Sequence, residues 1–445
     1  MKLKLAICLV LLGFPRFISA EMPVAPRVYH LDSRAGSDAN DGTRDKPWKS
    51  LTPLGTVTFN PGDSVRFKRG SSFEGGFAVN QSGTSNAPIT VLADGEGAAP
   101  RFTNPLLSVL NGNAIQVNAS HVVIDGLFFE RCPANPVAAE IPKLGAIVLT
   151  RNASNCVVRN CEMTRTPVGV SVYGQHNLVT RNHIHDNNEP IKPHWGPMGV
   201  VIAGSHNEVS YNRFENYVAP SAEYGHDGGA IEINDRSLAK EDIHIHHNLS
   251  LRNQGFIEWV GRVKQDNFRI HHNVCMDYQS FLGFSGPCTN FKVEHNTVVR
   301  VLAHPEADSE DVIFWSYFGG NTNITLRNNI FVYDPAKVEL VFARGELAHS
   351  HNLFYRTDLA TLPKQANRDS YQRKILGGGA HLREGDLIGD PLFVDTEKGD
   401  FHLKPGSPAI NAGMDLGYSL DFDDRPIPAG KRPTMGAFEF VGEGK

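Results

Sequence analysis

Short runs of alternating apolar and polar residues recur along the middle of the chain. One set often begins with glycine: GAIVL 145–149, GVSVY 169–173, GVVIA 199–203, GAIEI 229–233, GFIEW 255–259 and SFLGF 280–284. A period of two puts alternate side chains on opposite faces and predicts strands with one face inward. A second set runs into an asparagine: CVVRN at Asn160, LVTRN at Asn182, EVSYN at Asn212, HIHHN at Asn248, FRIHHN at Asn273, FKVEHN at Asn296, TLRNN at Asn329 and HSHN at Asn352. Neighbouring asparagines are 22, 30, 36, 25, 23, 33 and 23 residues apart. The short intervals set a unit and the long ones add an insertion. Such a unit predicts a parallel β-solenoid with two strands per coil. Asparagine suits the corner because it tolerates left-handed backbone, and stacked side-chain amides can bond along the axis.

Alternation also fixes which residues face out. Ile231 and Ile233 point inward in GAIEI, as do Ile257 and Trp259 in GFIEW and Leu282 and Phe284 in SFLGF. Glu232, Glu258 and Gly283 then face outward. The opposite register would bury two carboxylates in an apolar core, at several kcal/mol each. Glu232 and Glu258 are 26 residues apart and occupy one slot on successive coils. Parallel strands lie about 4.8 Å apart, so the two carboxylates should stand roughly that far from each other. This is close to the ~5–5.5 Å of a retaining glycosidase pair. Mutual repulsion should raise one pKa, leaving an acid beside an ionised carboxylate. Gly283 leaves open floor for a sugar ring. Asp227, in GHDGG, is a third candidate, and an inverting arrangement of Asp227 opposite Glu258 stays open. Two other readings of the cluster stand beside catalysis: Asp227, Glu232 and Glu258 as oxygen ligands for calcium, or a solvated acidic face.

Four insertions account for the long intervals: 186–198, 216–229, 234–242 and 303–311. Projecting on one side, they would wall a cleft over the carboxylates. His194, Trp195, Tyr224, His226, Arg262, Trp315 and Tyr317 are the candidate substrate contacts, since sugar rings stack on aromatic faces and hydrogen-bond to polar tips. Trp259 belongs to the core by alternation. His244, His246, His247, His271 and His272 resemble a metal cluster, but they fall on strand and corner positions and are assigned structural or surface roles. The acidic run 306–311 reads as a solvated loop.

Charge and composition narrow the partners. The net charge is −5 with no basic block, which disfavours nucleic acid. Met1–Ala20 has a basic start, an apolar stretch and small residues at its end, the pattern of a secretory signal peptide. No other stretch is apolar and long enough to span a bilayer. The expected location is therefore secreted or periplasmic, without membrane insertion. Five cysteines follow the signal: Cys132, Cys156, Cys161, Cys275 and Cys288. Three of them lie near the repeated corner, and no CxxC pair exists, so core packing is preferred to disulfides or zinc.

The entry segment contains GSDANDGT, then KPWKSL, PGDSV and GSSFEGGFAV. The tail contains GDPLFVDTEKGDFHLKPGSPAINAG and MGAFEF. These segments resemble those of secreted right-handed parallel β-helix proteins of the pectate-lyase-like superfamily, over nearly the whole chain. The resemblance implies an all-β, right-handed parallel β-helix with an N-terminal cap, a helix start at the Pro-Trp pair and a C-terminal closing segment. The expected division is 1–20 signal, 21–104 cap and first coils, 105–390 central helix and 391–445 closing segment. It also implies a carbohydrate-active protein, without naming a reaction. The favoured function is glycosidic bond cleavage in a poly- or oligosaccharide by Glu232 and Glu258, with Asp227 in reserve and no cofactor required. The first alternative is a calcium-assisted lyase like the alginate and chondroitin B lyase family, which uses glutamate-bound calcium, a Lys base and an Arg on the next coil. Glu258 matches one such glutamate, but only Arg262 and Lys264 follow it, in a turn, and Gly283 and Phe284 stand where the Arg is expected. A non-catalytic glycan-binding β-helix is the second alternative.

Overall fold

The computed structural model describes residues 25–105, 110–133, 144–191, 195–234, 236–302, 304, 312–315, 320–335, 340–343, 345–359 and 382–442. The signal segment and the acidic run 306–311 lie outside them. Three long parallel sheets of 13, 12 and 10 strands run side by side. Each coil visits them in turn. One coil, for example, passes through Glu208–Ser210 in the first sheet, Arg213–Tyr217 in the second and Gly229–Ile233 in the third, then returns at Lys240–His246. The solenoid is thus as expected, but each coil has three strands rather than two.

The third strand was hidden because its link is so short. Only two residues separate the first-sheet strand ending at Thr180 from the second-sheet strand starting at His183. The first of the two takes left-handed backbone: Arg181, Tyr211, His247, His272, His295, Asn328 and His351 have φ between 49° and 58°. The second is the ladder asparagine. The left-handed duty therefore falls on the residue before the asparagine. Asn160 illustrates the shift: its φ is 52° and its amide reaches Asp125, while Cys161 fills the ladder slot.

The asparagines themselves are buried and bonded to one another. From Asn212 through Asn248, Asn273, Asn296 and Asn329 to Asn352, each side-chain oxygen accepts from the backbone N–H of the asparagine one coil earlier, the first being Asn182, and from its Nδ2, at 2.9–3.1 Å. Each Nδ2 also donates to a backbone carbonyl, such as Ile245 for Asn273. The buried amides are thereby satisfied without water. Asp386 takes over the acceptor role beyond Asn352.

One continuous apolar core fills the tube. Ile231, Ile233, Ile257, Trp259, Leu282 and Phe284 are all buried in it, as alternation requires. The five cysteines are buried and free, as core residues. In the entry segment the Pro-Trp pair starts no helix. Trp48 is buried against Tyr29, and a single 3-10 turn follows at Thr52–Thr56. The C-terminal segment lies along the outside of the second sheet, where Phe401, Leu403, Met435 and Phe438 cover Leu251, Val274, Val299 and Ile330.

Candidate active site on the third sheet

The insertions flank the third sheet from two sides. Those at 186–198 and 216–229 enter it from the second sheet, as does 303–311, of which only His304 is described; 234–242 leaves it for the first sheet. The single-sided arrangement expected from sequence is therefore replaced by two opposed walls. Asp235 lies outside the described residues.

Between the walls runs one outward row of paired residues: Val148, Ser171, Val201, Glu232, Glu258 and Gly283. Glu232 and Glu258 are direct register partners on adjacent strands, as the alternation predicts. The row changes character along its length. Val201 is sealed by Leu144, Val168 and Ile191, with Trp195 and Met198 packed alongside. That dry patch ends at Glu232, which is half-buried, and the next residue, Glu258, is exposed. The two glutamates therefore differ in surroundings although they share a slot.

That difference sets their chemistry. Burial holds the Glu232 carboxyl well above the usual carboxylate range, and the charges of Glu258 and Asp227 push it the same way. Arg236 and Lys240 oppose the shift. Lys240 is turned inward: its Nζ lies 5.2 Å from the Trp259 ring and donates to the Leu238 carbonyl at 2.7 Å.

Asp227 ends a small antiparallel hairpin formed by Ala219–Ser221 and Gly225–Asp227. Its carboxylate accepts from the backbone N–H of Gly196 at 2.8 Å and of Gly228 at 2.7 Å. Burial nevertheless raises its pKa. The bond to Gly196 ties the first insertion to the second. Gly196 cannot be larger, because a Cβ there would lie 2.1 Å from the Asp227 carbonyl carbon.

The remaining candidates divide between the walls. Tyr224 is 44% exposed, and the charges of Asp227 and Glu258 are among the causes raising its hydroxyl pKa, after burial and Glu223. His226 stacks at 3.9 Å on His304, which lies 5.5 Å from Tyr278. Arg262 is exposed in the link on the opposite side. Trp195 departs from the expectation of a cleft aromatic, because it packs on the apolar patch beside Val201. Register pairs Trp315 with Phe284, and its side chain lies outside the described residues, as do His194 and Tyr317. Sequence reasoning did not single out Arg236, Tyr278 or His304. Each sits in a linker, where no periodicity marks a residue; stacking order alone places Tyr278 one coil beyond the linker that starts at Arg252.

Calcium takes six to eight oxygen ligands, mostly ionised carboxylates and carbonyls. The residues here fit it poorly. Both Asp227 oxygens already accept backbone N–H groups, and, with those taken, Asp227, Glu232 and Glu258 together fall short of that number of oxygens.

Residues 84–250 match the family model described as the right-handed beta helix region. No curated protein matches the chain in sequence. Among solved structures, it is similar to the pectate lyase Pel9A (TM-score 0.54, 16% identity, covering 94% of this chain and 97% of that one). It is also similar to XylC in complex with xylose (TM-score 0.55, 10% identity, 94% and 99% covered) and to a rhamnogalacturonan lyase (TM-score 0.51, 14% identity, 77% and 90% covered). The fold is a right-handed parallel β-helix. At these identities the likeness extends to the fold and not to the residues of the cleft. In this β-helix the carboxylate pair must be understood from its own geometry.

A stability test follows from Glu232. Its folded pKa is raised, so at low pH, where the carboxyl is protonated in both folded and unfolded chains, it costs nothing. As pH rises through the ordinary carboxylate range, the unfolded chain ionises first and the fold loses stability, until the folded group also ionises. Glu232→Gln removes that penalty. The variant should have a higher thermal midpoint than the wild type at pH 8, with the gap closing towards pH 4.

Proposed function

We propose that this β-helix is a secreted enzyme that hydrolyses glycosidic bonds in a poly- or oligosaccharide, with Glu232 as the acid and Glu258 as the nucleophile or base. The observation that carries the reading is the register pairing of two outward glutamates, one beside a dry apolar patch and the other exposed. The more enclosed carboxyl, its pKa raised by burial, favours its protonated form and can donate the proton to the leaving oxygen. The exposed one is placed to meet the anomeric carbon. Two adjacent strands about 4.8 Å apart favour direct attack over an intervening water, hence retention. Tyr224, His226 and Arg262 are the proposed sugar contacts, with Asp227 fixing the wall. Export rests on the Met1–Ala20 pattern. The similar structures, a pectate lyase, a rhamnogalacturonan lyase and a xylose complex, are in keeping with a glycan ligand.

Hydrolysis is preferred to calcium-assisted elimination because the cleft carboxylates fit calcium poorly and because the lysine nearest in sequence to Glu232, Lys240, is turned into the core. Purified protein should release reducing ends from one or more members of a panel of neutral and uronate-containing glycans. EDTA should leave that activity unchanged, and no unsaturated product should absorb in the ultraviolet. Unsaturated product formed together with reducing ends, and lost with EDTA, would replace hydrolysis by elimination.

A further inference from the structure

On the outer face of the first sheet, remote from the cleft in the coil path, three histidines converge. His244 and His246 lie two residues apart on the strand Lys240–His246 and face outward, since Ile243 and Ile245 between and beside them are buried. His271, on the next coil, is the register partner of His246. Glu208, on the preceding coil, is the partner of His244. One ligand atom from each histidine lies within 4.8 Å of the other two.

One contact in this group is poorly explained by hydrogen bonding alone. His244 Nε2 and His271 Nε2 are 2.5 Å apart, closer than an ordinary N–H···N bond. His246 Nε2 stands 3.0 Å from the Glu208 carboxylate, and its Nδ1 is 2.7 Å from His247 Nδ1, whose Nε2 faces the Asp421 carbonyl at 3.0 Å. Such a relay, ending at a backbone carbonyl, is the outer support that orients a metal-binding imidazole.

We propose that His244, His246 and His271 bind one divalent cation of the zinc type, with the Glu208 carboxylate beside His246. Three imidazoles suit a late transition ion better than calcium or magnesium. Arg269, exposed and paired in register with His244, is the opposing charge. The two Nε2 atoms must separate, since ligands of a tetrahedral zinc stand about 3.4 Å apart at bond lengths of about 2.0–2.1 Å. His244 is half-buried. Tyr418 of the C-terminal segment, its ring 4.5 Å from His271, roofs the site. His272 and His295 instead continue the stack of His247 at 5.0 and 4.7 Å and have structural roles.

The test uses full-length mature protein, stripped with chelator and titrated with Zn²⁺ alone. One equivalent should be retained through gel filtration. Cobalt in its place should give the visible absorption of a tetrahedral ion. His244→Gln should weaken binding by about tenfold or more. His206→Gln, which removes a histidine from a different corner, should not. Circular dichroism of both variants controls for folding. Failure of the wild-type protein to retain zinc, or equal retention by His244→Gln, would overturn the assignment.

Discussion

Glu232→Gln and Glu258→Gln should each lower glycosidic cleavage by about 10²–10⁴-fold, the range that a positioned acid or base contributes. The two losses should differ in kind. Gln at 232 cannot protonate a leaving group, so an aryl glycoside, whose leaving group needs no proton, should recover most of the rate. Gln at 258 removes the attacking or activating carboxylate, and the good leaving group should help little. Azide should instead restore activity to Glu258→Ala by attacking in its place. Removing the charge at 258 also takes away one cause of the raised Glu232 pKa. The alkaline limb of the residual activity should therefore move to lower pH. Equal responses of the two variants to leaving group and azide would mean that the roles are not divided as burial suggests.

Asn273→Ala should be the most damaging of the small substitutions in the scaffold. Its side-chain oxygen accepts from the Asn248 backbone N–H and from Asn248 Nδ2, and its own Nδ2 donates to Ile245 and Asn296. All four contacts are buried. Alanine leaves the Asn248 N–H without its acceptor inside the wall, where a single unsatisfied group costs about 1–3 kcal/mol. With the remaining bonds lost as well, the expected destabilisation is about 2–4 kcal/mol. Denaturant unfolding should show it as a lower midpoint. Asn152→Ala, at an exposed turn, should stay within about 0.5 kcal/mol of wild type. A similar response of the two variants would show that the ladder adds no stability.

The contrast between these positions explains what the chain discloses. Glu232 and Glu258 were legible because a strand has a fixed period and an acidic residue between two large apolar residues can face only one way. The recurrence of Asn182, Asn212 and Asn248 revealed the coil, because a buried amide ladder demands the same residue at every rung. The number of strands per coil was not legible. The corner occupies two residues, and its left-handed member varies among Arg, Tyr, His and Asn, so no single residue type announces it. Histidine at that corner stacks along the axis, which is why His247 and His272 looked like ligands and, with His295, serve as wall. Sidedness was lost for a related reason. An insertion's length shows in the spacing, but whether it leaves or enters the third sheet depends on a strand that the spacing does not show. Trp195 shows the limit for single aromatics: in a loop by sequence, it is packed against the apolar patch of Leu144, Val168, Ile191 and Val201.

The most direct test of the carboxylate pair is the fate of water in the cleaved bond. With an active glycan and water enriched in oxygen-18, mass spectrometry of the fresh products should show one heavy oxygen at each new reducing end, and Glu232→Gln should remove that signal. Products that contain no heavy oxygen and carry a carbon–carbon double bond, or heavy-oxygen products made equally well by Glu232→Gln, would contradict hydrolysis by Glu232 and Glu258.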